Sequence, residues 1–128
     1  MHNKWFNYAR QDLLSAATID KSNNIGLIYA CNHLHLAVEK SLKGILIFKG
    51  CIPRLTHDIG GLLQDLTTAG VNPVPDFVEE SVDLMKFSPA TRYPFMDDVD
   101  ITSEEFDQYF EIATNVVEWA ESVIGQLK

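Results

Sequence analysis

The stretch from Ile25 to Asp58 constrains most strongly what this 128-residue chain can fold into. Leu27, Ala30, Cys31, Leu34, Val38, Ser41, Leu42 and Ile45 recur at steps of three and four, the spacing that gathers side chains along one face of an α-helix. That face must be buried. On the opposite side Asn32, His35, Glu39 and Lys43 follow one another at the same steps, with a carboxylate one turn ahead of an ammonium in the favourable order. The helix is predicted to stop at Lys49-Gly50, where Gly supplies a left-handed cap, and Pro53 prevents its continuation. Thr56 then reads as the N-cap of another helix, with His57 and Asp58 in its first turn.

The flanking segments carry helical patterns of their own. Trp5, Phe6, Ala9, Leu13, Ala16 and Ala17 describe an amphipathic helix from Asn3 to about Asp20, with Arg10 and Asp12 on its wet side. Ser22-Asn23-Asn24 breaks the pattern, and one of these Asn residues caps the long helix, so the first two helices should be antiparallel neighbours. Beyond Thr56, Ile59, Leu62, Leu63 and Leu66 make a short helix ending at Gly70. Pro75 suits the first position of a fourth helix, led by Asp76 and Glu79 and buried through Phe77, Val78, Val82, Leu84 and Met85. Ser88 to Ile101 is the one long irregular segment and contains Thr91-Arg92-Tyr93-Pro94; in a small bundle a connection of that length is either functional or loose. Thr102-Ser103-Glu104-Glu105 is a capping box, and Phe106, Phe110, Ala113, Val116, Val117, Ala120, Val123 and Ile124 mark the last helix. The expected fold is all-α: a single domain over residues 1–128, an up-and-down bundle of four main helices plus one short helix.

Charge and cysteine usage limit the function classes. A net charge of −8 disfavours tight non-specific binding to phosphate backbones, and no DNA partner is expected. Residues 1–57 hold seven Lys/Arg against three Asp/Glu (net +4) and residues 58–128 three against fifteen (net −12), which together give −8. The split describes either a basic site in an acidic shell or charge that simply faces solvent. Cys31 lies within the apolar helix face and Cys51 in the loop after it, so both read as reduced thiols of a cytoplasmic protein. Met1-His2-Asn3-Lys4-Trp5 lacks the apolar run of a signal peptide. The seventeen uncharged residues between Lys21 and Glu39 include three Asn and two His, which argues against a membrane span.

Candidate chemistry is confined to a few residues. No glycine-rich phosphate loop, dinucleotide fingerprint or paired-cysteine zinc motif occurs. His33 and His35 are two apart on a helix, roughly 200° around its axis, and do not chelate one ion together. His57-Asp58 is similar to the central pair of the metal-dependent HD phosphohydrolases, with His35 and a later acid as the remaining ligands, although the chain is short for that fold.

A wider match covers almost the whole chain. Ala30-Cys31-Asn32-His33-Leu34-His35-Leu36-Ala37-Val38-Glu39-Lys40-Ser41-Leu42-Lys43-Gly44, then Thr56-His57-Asp58-Ile59, then Arg92-Tyr93-Pro94, with Trp5, Ala9 and Asp12-Leu13 in the opening helix, resembles the HEPN family of small helical domains in its minimal, nucleotidyltransferase-associated branch. Two glutamines are usual in that branch where this chain has His35 and Leu36, and Ala where it has Thr91. The resemblance implies a homodimer that binds a nucleotide or RNA phosphate and is partnered with a separate minimal nucleotidyltransferase, as in a toxin-antitoxin pair. Independently of the resemblance, helix N-terminal amides near His57, with Lys40, Lys43, Arg54 and Arg92 converging and Tyr93 beside Arg92, would make a phosphate site without catalysis, and His35, Glu39 and Asp58 are expected to form a structural polar network. The family's ribonuclease branches place an Arg, a polar residue and a His four to six residues on; here two residues separate Arg54 from His57, Leu55 follows Arg54, and no His follows Arg92. That spacing departs from the ribonuclease pattern; the alternative it leaves is a metal-independent endoribonuclease with His57 for proton transfer and Arg54 for phosphate charge meeting at one phosphate. A non-catalytic dimerisation or adaptor module is a third. No cofactor and no metal is expected in any of the three.

Overall fold

The computed structural model describes residues 2–88 and 100–127; of these, the side chains of His2, Gln126 and Leu127 are left aside. Helix α1 runs His2–Thr18, α2 Asn24–Phe48, α3 Ile59–Thr68 and α4 Asp76–Glu80; a 3-10 helix follows at once over Ser81–Phe87, and α5 spans Ser103–Leu127. Among the described residues there is no strand, as the expected all-α class requires.

Helix α2 lies at the centre, packed against α1, α3, the 3-10 helix and α5. The Asn23 side chain accepts the Gly26 N–H at 2.9 Å, and Gly50 ends the helix with φ +83°. Ala30, Cys31, Leu34, Val38, Leu42 and Ile45 are fully buried, as their spacing predicts. Its polar line is not on a wet face, however. His35 is fully buried, Glu39 is 4% exposed and Lys43 7%. Neighbouring elements cover this side of α2, so these groups find partners inside the protein.

Other boundaries moved for local reasons. Asp12, expected on the wet side of α1, is buried because it faces α2 and is held there by two α2 side chains. Helix α3 starts at Ile59 and not after Thr56: the Thr56 hydroxyl accepts the Asp58 N–H at 3.0 Å, a turn of its own, and the Leu62 N–H bonds to the Asp58 carbonyl as the first helical bond. His57 therefore precedes the helix. The fourth helix tightens into 3-10 geometry at Ser81. At the start of α5 the capping box forms as read, with Thr102 N–H to Glu105 Oε1 and Glu105 N–H to Thr102 Oγ1, each 3.1 Å. The loop between α2 and α3 leaves Ile52 and Leu55 fully exposed.

Candidate functional site

The loop between α2 and α3 brings His57 down onto the buried polar line of α2. Glu39 divides its carboxylate: Oε1 accepts from His57 Nδ1 at 2.7 Å and Oε2 from Lys43 Nζ at 3.1 Å, one turn further along α2. One turn earlier, the His35 Nε2 donates to the main-chain carbonyl of His57 at 2.9 Å. The two imidazoles are tilted by 52° with centroids 6.2 Å apart. His57 is thus fixed through both its backbone and its ring by residues 35 and 39.

Those partners settle where the protons are. A carboxylate accepts, so Nδ1 of His57 carries hydrogen and Nε2 of the neutral ring is left with its lone pair. The His57 side chain is 55% exposed and its Nε2 has no partner among the described residues, so that lone pair faces outward. The Glu39 side chain is 6% exposed and that of Lys43 9%; the ammonium lies 5.9 Å from the centre of the Trp5 ring and balances the carboxylate inside the protein. Burial pushes the His35 imidazole below its ordinary range, against the opposing pull of its bond to His57 and of Glu39, so it stays neutral.

Arg54 lies three residues before His57 but points elsewhere. Its guanidinium makes a two-pronged pair with Asp65 on α3, Nε to Oδ2 at 2.8 Å and Nη2 to Oδ1 at 2.6 Å. That bond, reinforced by the charges of Asp65 and Asp58, holds the guanidinium still more firmly protonated than usual. Asp58 folds back over the first turn of α3: its Oδ2 lies 3.0 Å, and Arg54 Nη1 3.3 Å, from the point where a Cβ on Gly61 would stand. Glycine there leaves room for both groups. The expected anion position at this helix terminus is consequently lined by a carboxylate of the chain's own. Beyond Arg54 lies an open cleft of about 390 Å³ between the end of α2 and α3, lined also by Leu46, Cys51 and Asp65.

Of the residues predicted to bind phosphate, Lys43 is committed to Glu39, and Lys40 donates to Asp12 at 2.6 Å while remaining a quarter exposed. Arg92 and Tyr93 lie outside the described residues. The polar network of His35 and Glu39 forms around His57, whereas Asp58 belongs with Arg54. No group of three or more His, Cys, Asp or Glu among the described residues is placed to hold a metal ion, so His35, His57 and Asp58 do not assemble as the phosphohydrolase pattern demands.

A second cluster was not legible as one. Asp12 of α1 accepts from His33 Nδ1 at 2.9 Å through Oδ1 and from Lys40 through Oδ2, with Lys40 5.8 Å from the Tyr8 ring centre. The signal for it was the uncharged run before Glu39, which marks α2 as central and obliges its few polar groups to pair across helices.

Fold and motifs agree with what is known of other proteins. No curated protein sequence matches the chain significantly. A crystal structure of TT1696 from Thermus thermophilus superimposes with a TM-score of 0.75 at 26% identity, over 94% of this chain and 96% of that one. The HEPN domain model matches residues 2–123, a span that takes in α2, its polar line and the His57 loop. With nearly its whole length matched, the chain belongs to the HEPN domain family.

Proposed function

We propose that this protein binds the phosphate of a nucleotide or RNA at His57, as one member of a pair with a separate minimal nucleotidyltransferase. The observation that carries the reading is the Glu39–His57 contact: a buried carboxylate holds Nδ1 and turns Nε2 of a half-exposed imidazole to solvent. Such a nitrogen accepts a proton from a ligand hydroxyl or, once protonated, donates to a phosphate oxygen. Arg92, four residues after Ser88, supplies the second cation, with Tyr93 beside it. Lys40 and Lys43 already balance Asp12 and Glu39, so their contribution to the ligand is secondary.

Calorimetric titration of AMP, ATP and a short RNA into wild type, His57→Ala and Arg92→Ala tests this. Each substitution is expected to weaken binding by roughly tenfold to a hundredfold, the value of one charged hydrogen bond, with the melting temperature little changed. Unchanged affinity in both variants would place the ligand elsewhere, and no binding by wild type would leave the adaptor reading.

The same contact favours a second reading, metal-independent RNA cleavage, because an imidazole oriented by a carboxylate is the arrangement of a general base. It requires Arg54 to leave Asp65 and join His57 at one phosphate. Cleavage of a fluorogenic RNA in excess EDTA, abolished in His57→Ala and in Arg54→Ala, is the expected result for that reading.

We further propose a cytoplasmic, symmetric homodimer built on the first two helices. Tyr8, Ile25 and Tyr29 are each half-exposed there, and no described helix is long and apolar enough to cross a membrane. Sedimentation at tens of micromolar should give twice the 14.4 kDa chain mass; a monomer at that concentration would overturn the dimer.

A further inference from the structure

His35 has no solvent access, yet it spends its hydrogen on a loop carbonyl and not on a neighbour within the core. Its Nε2 carries that hydrogen, because a carbonyl only accepts. The other nitrogen, Nδ1, keeps its acceptor lone pair buried with no partner among the described residues, so the bond to the loop is the one hydrogen bond the ring makes there. The bond lands on His57, the middle residue of a turn closed by the Asp58 N–H on the Thr56 hydroxyl. Just beyond, the Asp58 carbonyl is committed to the Leu62 N–H. With the His57 carbonyl also pinned, the turn has one orientation relative to α2, and in that orientation the ring reaches Glu39 one helical turn from His35.

We propose that His35 is a positioning residue for His57: by holding the loop carbonyl it sets the rotation that seats Nδ1 on Glu39 and leaves Nε2 outward as a lone pair. This rests on the proposed function only for the use to which Nε2 is put. Without the bond the closed turn is no longer tied to α2 through its carbonyl and can shift as a unit, the ring leaves Glu39 for part of the time, and its hydrogen redistributes between the two nitrogens. His35→Gln keeps an N–H donor of similar reach, and His35→Met fills the space with no donor.

The test is long-range proton–nitrogen NMR of the imidazoles in the full chain, at about pH 8, above the ordinary histidine range. In wild type His35 is expected to carry its hydrogen on Nε2 and His57 on Nδ1. His35→Gln should keep the His57 pattern, whereas His35→Met should mix the two tautomers and weaken AMP binding roughly threefold to tenfold. A wild-type His35 protonated at Nδ1 would overturn the proposal without any variant, since Nε2 then has nothing to donate. So would a His57 tautomer unchanged in His35→Met, or one lost in His35→Gln, the latter deciding the matter if the Met variant does not fold. If tautomers respond as expected but AMP binds to none of the proteins, positioning stands and the nucleotide reading fails.

Discussion

Asp12 and Glu39 each hold one histidine and one lysine, one through each carboxylate oxygen, yet the two clusters have different uses. Around Asp12 all three members sit on helices: His33 is 34% exposed and Lys40 25%, and the group closes the seam between α1 and α2. Around Glu39 the lysine is sealed at 9% while the histidine, carried by a loop, is 55% exposed. A buried carboxylate on a helix thus seals a seam in one place and aims an imidazole in the other. What separates them is whether one member belongs to a segment that packing alone does not fix.

The largest expected effect is the loss of the Glu39 carboxylate. Glu39→Ala abandons a lysine with almost no access to water, and urea unfolding should report a loss of about 3–5 kcal/mol. Asp12→Ala leaves Lys40 and His33 able to turn to solvent, so its cost should be about 1–3 kcal/mol. Equal costs for the two would erase the distinction. A larger cost for Asp12 would reverse it.

A smaller effect, confined to the Glu39 side, is pH dependence from His35. Its folded ring resists the proton that the unfolded chain takes up below the ordinary range near pH 6.5, so the unfolded state binds more protons there. Stability is therefore full above about pH 6.5 and falls as the solution is acidified below it, by at most about 1.4 kcal/mol per pH unit from this group. Measured by urea midpoints across that range, the dependence should shrink in His35→Gln. The smallest effects come from the exposed rings. His33→Ala and His57→Ala should each change stability by less than about 1 kcal/mol, but only His57→Ala should weaken nucleotide binding.

The sequence showed the helices better than it showed their surroundings. Periodicity located α2 and its core face, Asn23 and Gly50 marked its ends, and the Thr102–Glu105 box marked the start of α5, because each is a local pattern with a local cause. Three features depended on contacts distant in the chain. Asp12 looked solvated because periodicity along α1 does not reveal what α2 will offer it. Arg54 looked poised beside His57, but Asp65, eleven residues on, captures it first. Thr56 has the chemistry of an N-cap and uses it to close a turn two residues too early. His57 with Glu39 was legible only as two members of a motif; that they touch follows from α2 and the loop meeting.

Asn32 extends the line on α2 by one more residue, donating to the Phe87 carbonyl at 2.8 Å, so positions 32, 35 and 39 grip the two chain segments on which the proposed site draws. Such a row works like the teeth of a key. Inserting or deleting one residue between Asn32 and Glu39 would turn part of the row by about 100° and lift at least one segment from its hold. Between Cys51 and Arg54 the loop has no such register to keep, and the fully exposed Ile52 marks where a change of length is tolerated best. Length variation in this protein is therefore expected in its loops, while α2 admits substitution but no change in length.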